Sequence, residues 1–338
     1  MKKNNTKLIM LALCLFLLTG CAKTLTDENK RIVKYNASII CDSCTSSCDK
    51  DDSDCAKTCE IKCNESKKNQ TGQNLTKNIL CQPTNKDVVE IYEKYGVNIK
   101  SLPTCPNLSL TSGYEGLWVS LFVKPLAWLI IKVGILLKNY GFSLVLISIL
   151  IRVALMPLTK KTAVQSENLK KAQPELDRLN KKYENKTDKD SQLQKSQETI
   201  VIYQKYGINP MSSCLFALIQ IPLLFAFIEA INRTPAIFEG KFLGLHLGIT
   251  PLTALKNGQW YYLLVIIILA VVTYFSLNLN KGASAPGDDT QKQMNTMNKF
   301  MLVFITYASL NLSTAICLYW ISSSAFTIFQ NLLVKRVK

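Results

Sequence analysis

The sequence has one histidine, His246, in 338 residues, and no serine or cysteine set around it as a nucleophile would be set around its base. Nothing here makes a catalytic constellation, so no enzyme activity is expected and His246 is read as a structural residue of an outer loop, solvated or lipid-facing. Acids are scarce as well: 24 Asp and Glu against 40 Lys and Arg give a formal net charge of +16. No nucleic-acid recognition motif accompanies that charge, and the lysines gather beside long apolar runs, as anionic lipid and membrane topology favour. Neither a specific nucleic acid nor a cofactor is expected. Internal period is missing too, apart from one echo between IYEKYGVN at 91–98 and IYQKYGIN at 202–209. A repeat architecture is thereby excluded, and both copies read as helix ends closed by Gly96 and Gly207.

What is present is uneven. MKKNN, the apolar stretch LIMLALCLFLL and the small residues before Cys21 read as the basic, hydrophobic and cleavage regions of a signal peptide over 1–20. Leu18-Thr19-Gly20-Cys21 resembles the bacterial lipobox, in which the cysteine becomes the lipidated N-terminus; the alternative is an uncleaved N-terminal anchor.

Residues 21–115 form a Cys-rich segment and spacer expected outside the membrane. Cys41, Cys44, Cys48, Cys55, Cys59, Cys63, Cys81 and Cys105 are an even set, which outside the cytoplasm favours disulfides. Cys44 with Cys48, and Cys55 with Cys59, are i, i+4 pairs that share a helix face, so a helical hairpin stapled by two bridges is expected. Metal binding is the rival, with Cys41 and Cys44 as two ligands, but no histidine lies nearby and no metal site is assigned. The connectivity stays open. Residues 64–112 are polar and read as a poorly ordered spacer holding a short helix at 86–95.

The remainder, 116–338, is dominated by apolar runs. Residues 117–138 carry Lys124, Lys132, Lys138, Trp118 and Trp128, a pattern that suits an amphipathic helix in the outer interface. Five spans are expected at about 142–159, 211–231, 260–279, 299–312 and 314–334, near the ~20 residues that a hydrocarbon core requires. Segment 160–210 is rich in lysine and reads as a cytoplasmic helical hairpin, with Leu169, Ala172, Leu176, Leu179 and Tyr183 at helical spacing and Pro174 as a break or new start. The positive-inside bias puts it and the basic C-terminus in the cytoplasm. The fold expected is all-α, a five-helix transmembrane bundle with that hairpin, an interfacial helix and a Cys-rich extracellular segment.

Arg152 stands inside the first span. Lys160 lies eight residues on, so at ~1.5 Å per residue the arginine is about 12 Å deeper, where insertion costs about 2.5–3.5 kcal/mol. It either snorkels, pairs with an acid, or faces a wet cavity; Glu229 is the one acid within the later spans and sits near the outer end of its own. Gln220, Thr273, Ser276, Ser322, Ser323, Ser324 and Gln330 would line such a cavity. Cys214 and Cys317 fall in apolar spans and read as packing residues.

ILIRVALMPLTKK, QPELDRLNKKY, YQKYGINPMSSCLFALIQIPLLFAFIEAI and CLYWISSSAFTIFQ, in that order, resemble the marks of the YidC/Oxa1/Alb3 membrane protein insertases, in their lipoprotein, five-span form. The resemblance covers roughly 115–335. It implies a hydrophilic groove, open to the cytoplasm and to lipid, that receives nascent membrane proteins, with the Sec translocon and the ribosome as further candidate partners. It places the groove arginine on Arg152, the Gln-x-Pro on Gln220 and Pro222, and the Leu-Tyr-Trp on Leu318, Tyr319 and Trp320. Pro157 marks the groove's cytoplasmic end. Ser313-Thr314-Ala315 replaces the family's Pro-Ala-Gly, and Ser324 its asparagine. A transporter or channel, or a redox or metal-handling lipoprotein with the spans as anchor, are the competing readings.

Overall fold

Three cysteines along one helical face opposite three on the next produce the first element of the fold. In the computed structural model, α1 (Ala37–Ser47) and α2 (Ser53–Asn69) lie against each other, joined by Cys41–Cys63, Cys44–Cys59 and Cys48–Cys55. The spacings of three and four residues put each set on one face, so the hairpin zips with three bridges where two were expected. The structure describes residues 23–35, 37–48, 52–69, 71–111, 113–186, 188–209, 211–279 and 288–336; the signal peptide and Cys21 lie outside them.

The spacer expectation is overturned. A fourth bridge, Cys81–Cys105, closes the stretch around α3 (Lys86–Lys94). Leu25, Val33, Tyr35, Ile40, Leu75, Ile79, Val88, Ile91 and Tyr92 bury together, while short backbone pairings join Thr24 to Thr76 and Lys34 to Asn74. Sparse apolar residues thus form a real core, because disulfides supply the restraint that a small core lacks. Asn85 caps α3 by accepting from Asp87 N–H at 2.9 Å, and Gly96, at φ 74°, closes it.

Next come a π-helical turn at Val119–Val123, α4 (Lys124–Leu136), α5 (Tyr140–Ala154), α6 (Met156–Lys182), α7 (Lys189–Lys205) and α8 (Met211–Asn232). After these stand short α9 (Pro235–Phe238), the β1–β2 pair (Lys241–Phe242, Leu245–His246), α10 (Pro251–Lys256), α11 (Tyr262–Leu279), α12 (Asp288–Asn311) and α13 (Thr314–Arg336). Among the described residues three helical stretches are long and apolar enough to cross a membrane: Val119–Leu136, Tyr262–Leu279 and Thr314–Leu333. Tyr140–Ala154 and Pro222–Asn232 are apolar but shorter.

Two bounds differ from expectation. The first apolar helix stops at Ala154, Leu155 turns, and Pro157 sits in the first turn of α6, where its missing N–H costs nothing. The hairpin's first arm therefore starts at Met156, and the eight-residue depth estimate for Arg152 does not run along one straight helix. Pro174 neither breaks nor starts a helix: α6 runs through it. Leu169, Ala172 and Leu176 on either side of it bury against Tyr203 of α7, and this packing holds the helix against the lost backbone bond. The hairpin itself forms as expected, with Leu179 and Tyr183 buried and Gly207 at φ 61° closing α7.

The chain divides into two compact units. One takes the described residues up to Ile147, with Leu224–Ile266 and Ser309–Tyr319; the other takes Ser148–Leu223, Ile267–Ala308 and residues from Trp320 onward.

Candidate functional site

In the second unit, α5 carries Ser148 and Arg152 one turn apart, both buried, Arg152 at 6% exposure. Arg152 Nε donates to Ser323 Oγ at 2.9 Å, and its Nη2 reaches the same oxygen. The three adjacent serines expected in the lining, Ser322, Ser323 and Ser324, are all buried, but a helix turns about 100° per residue and it is Ser323 that meets the guanidinium. Ser323, Thr327 and Gln330 recur at i, i+4 and i+7 on α13 and are all buried, so this apolar helix carries a polar stripe. Thr327 Oγ1 donates to the Ser323 carbonyl at 3.0 Å, and Asn331 Nδ2 to the Thr327 carbonyl at 2.9 Å. Thr273, on α11, is 2% exposed, and its hydroxyl oxygen has no hydrogen-bond partner among the described residues. Trp320 is half-buried. Gln220 lies in α8, with its side chain outside what is described; Pro222 lies inside the same helix. A guanidinium keeps its charge whatever its hydrogen bonds, so this stretch holds a cation in a low-dielectric setting where a carboxylate would be strongly attracted.

The hairpin adds exposed ion pairs. Lys205 Nζ meets Glu175 Oε1 at 2.5 Å and Lys182 Nζ meets Glu198 Oε1 at 2.7 Å. Hydrogen bonds from Lys205 and then Tyr206 hold the Glu175 carboxyl below the usual range.

The first unit contains what the sequence reading missed. Arg233, fully buried, donates through Nη1 to Glu229 Oε1 at 3.1 Å, through Nε to the Asn78 carbonyl at 2.6 Å, and through Nη2 to Glu115. Trp118 Nε1 donates to the other oxygen of Glu229 at 2.9 Å, and Lys124, 3% exposed, pairs with Glu115 at 3.8 Å. Glu229 is thus committed to Arg233 and Trp118, and Lys124 is held within the same unit by Glu115 and the Gly113 carbonyl. The only local signal was the i, i+4 spacing of Glu229 and Arg233. Tyr319, expected in the groove, stacks on Phe227 with ring centroids 4.0 Å apart.

Around this hub the N-terminal segment is bonded to the later loops. Leu80 N–H donates to the Arg233 carbonyl at 2.8 Å and Thr250 N–H to the Thr71 carbonyl at 3.0 Å, while Glu239 accepts from Thr84 and Asn85 N–H at 3.1 and 3.0 Å. Thr314 and Ala315 open α13 by donating their N–H groups to the Ile249 and Leu247 carbonyls, each at 2.9 Å. Thr314 Oγ1 adds a third bond, to the Ile249 carbonyl, at 2.8 Å, so Thr314 anchors the helix start. His246 is half-buried in β2, its Nδ1 buried and without a hydrogen-bond partner among the described residues, and burial followed by the Lys241 charge pushes its pKa down. Cys317 is buried, its thiol 3.4 Å from the Ser309 carbonyl, as a packing residue should be; the Cys214 side chain lies outside the described residues.

Span-length apolar helices with buried polar residues along them define a helical integral membrane protein. The profile of the 60Kd inner membrane protein family matches residues 132–338, and the chain belongs to that family, the YidC/Oxa1 group of the bacterial cell membrane. It is 32% identical over 232 residues to the membrane protein insertase YidC of Oceanobacillus iheyensis, covering 68% of this chain and 88% of that one. It is 35% identical over 227 residues to the membrane protein insertase MisCA of Bacillus subtilis, covering 67% and 82%. Membrane protein insertase YidC 2 of Listeria innocua is 35% identical over 229 residues, covering 67% and 75%. A solved structure of an active YidC insertase is similar at 23% identity with a TM-score of 0.46, over 73% of this chain and 53% of that one.

Proposed function

We propose that this chain is a membrane protein insertase that takes nascent hydrophobic segments into a polar site centred on Arg152 and releases them into lipid. The relatives named above are insertases, and membership of their family carries the activity. Solute transport through the same polar residues is not favoured. The mechanism rests on one observation: a guanidinium buried on an apolar helix and bonded to a hydroxyl, that of Ser323. Such a cation attracts an acidic residue in the segment to be translocated, and the neighbouring apolar helix then partitions into lipid, with no covalent chemistry required. Gln220, Thr273, Trp320, Ser324 and Gln330 complete the polar lining. In this reading the five apolar stretches all span, 117–138 lies in the outer interface, the N-terminal segment is outside and lipid-anchored at Cys21, and the α6–α7 hairpin is cytoplasmic and meets the incoming chain. The insertase acts alone or beside the Sec translocon, with the ribosome as a further candidate partner.

The test is insertion of a single-span substrate with acidic residues in its translocated tail, using Arg152→Ala and Arg152→Lys chains at equal expression. Arg152→Ala should insert it about tenfold less efficiently, as the loss of one buried charge contact implies, with partial rescue by lysine and little effect on a substrate whose tail lacks acids. Undiminished insertion by Arg152→Ala would overturn the charge mechanism.

A further inference from the structure

Two of the hairpin bridges touch. Cys48 Sγ lies 3.4 Å from Cys59 Sγ, although these sulfurs belong to different disulfides. The sulfurs of Cys48, Cys55 and Cys59 all fall within 4.8 Å of one another, and Cys44 Sγ is bonded to that of Cys59. Three of these sulfurs therefore lie within the span of one coordination sphere and the fourth is bonded to one of them; a zinc ion with thiolates at about 2.3 Å sets its four sulfurs about 3.8 Å apart in a tetrahedron. We propose that the reduced hairpin is a four-thiolate zinc site made by Cys44, Cys48, Cys55 and Cys59, so that the segment has two mutually exclusive closed states, one disulfide and one metal.

Spacing and support both suit this. Cys55 and Cys59 are one turn apart on α2, Cys44 lies on α1 and Cys48 directly follows its last residue, and the bridges Cys44–Cys59 and Cys48–Cys55 bring all four side chains to the seam between the helices. The helices are also held from outside the seam. Cys41–Cys63 ties their far ends, Ser66 Oγ donates to Asp87 at 2.7 Å, and Lys62 meets Glu90 at 2.7 Å, while Ile40 is part of the apolar core. Cys48 and Cys55 are half-buried, open to a reductant and to a metal, while Cys59 is buried. Thiolates are soft ligands, and a tetrahedral set of four sulfurs selects zinc.

The balance is explicit. Each inner bridge takes two electrons and two protons from a dithiol, which is oxidised to its own disulfide, leaving four thiols. Zinc then binds four thiolates and releases four protons, so affinity rises with pH. Reoxidation of the sulfurs in pairs, by a disulfide that is itself reduced to a dithiol, expels the ion.

The experiment uses the full chain in detergent. After reduction with a dithiol and its removal, Co2+ should give intense thiolate charge-transfer absorption and tetrahedral d–d bands, and Zn2+ should bind at one ion per chain and shield four thiols from alkylation. The oxidised chain should bind none. Cys48→Ser/Cys55→Ser should lose the bound ion and Cys81→Ser/Cys105→Ser should keep it, with helical circular dichroism as the check that each variant is folded. Cys55→Ser alone, which keeps three thiolates, should bind about tenfold more weakly or worse. Free alkylation of Cys44, Cys48, Cys55 and Cys59 with no bound ion in the reduced chain would overturn the proposal, as would undiminished metal binding by Cys55→Ser or by the folded Cys48→Ser/Cys55→Ser chain.

Discussion

Arg233 Nη1 and Glu229 Oε1 stand 3.1 Å apart, one turn from each other on the chain and both buried. Around them Glu115, Trp118 and the Asn78 carbonyl complete the guanidinium and carboxylate contacts. A pair of this kind is costly to break from one side, because the partner is left buried and charged. Arg233→Met should destabilise the first unit by roughly 3–5 kcal/mol. Limited proteolysis of the N-terminal segment in detergent should accelerate; an unchanged cleavage rate and an unchanged unfolding midpoint would show that the hub is dispensable.

Ser323→Ala removes the hydroxyl that accepts from Arg152 without altering the charge. If Ser323 orients the guanidinium, insertion of the acidic-tailed substrate should fall severalfold, less than with Arg152→Ala. A drop as large as that of Arg152→Ala would instead mean that the serine contributes more than orientation.

Pro174 lies inside α6, where proline lacks a backbone donor and costs about 3 kcal/mol relative to alanine. Pro174→Ala should therefore raise the stability and helicity of the α6–α7 hairpin, read by thermal circular dichroism. A lowered midpoint would mean that the proline sets a bend on which the packing of Leu169, Ala172 and Leu176 depends.

Burial depresses the His246 pKa from its ordinary value of about 6.5. A base with a lowered folded-state pKa favours folding when neutral, so its contribution is full above about pH 6.5 and is lost as pH falls through the folded value. Thermal midpoints measured from about pH 8 down to about pH 5 should decline, and His246→Gln should flatten the acid limb. An identical slope in the variant would assign the decline to other groups.

The disulfides differ in the chain length they close. Cys81–Cys105 spans 24 positions and Cys48–Cys55 spans 7, so on chain-entropy grounds loss of the former should cost about 1 kcal/mol more. Denaturant midpoints of the two double-serine variants would check the order.

Much of the helical architecture was legible in the sequence because its signals are local. Helical spacing marked the hairpin residues 169–183, and glycines marked the ends at 96 and 207, where the left-handed backbone is nearly free for that residue alone. The core of the N-terminal segment was illegible, since Leu75, Ile79, Val88 and Ile91 are scattered among polar neighbours and meet only through strands and bridges far apart in the chain. Arg152 announced itself by its apolar surroundings, whereas Arg233 did not: its partners at 78 and 115 are more than a hundred residues away. Singling out Ser323 from its neighbours Ser322 and Ser324 required the rotation of α13 about its own axis, which composition does not encode.

The main-chain bond from Thr250 to Thr71 and those from Thr314 and Ala315 to Ile249 and Leu247 have a consequence for biogenesis. Helix α13 is seated on a loop that is itself seated on the disulfide-rich segment. Synthesis makes that segment before α13, so its folded form is a template against which the later helix can find its register. A chain whose disulfides in that segment fail should carry the fault forward into the placement of α13.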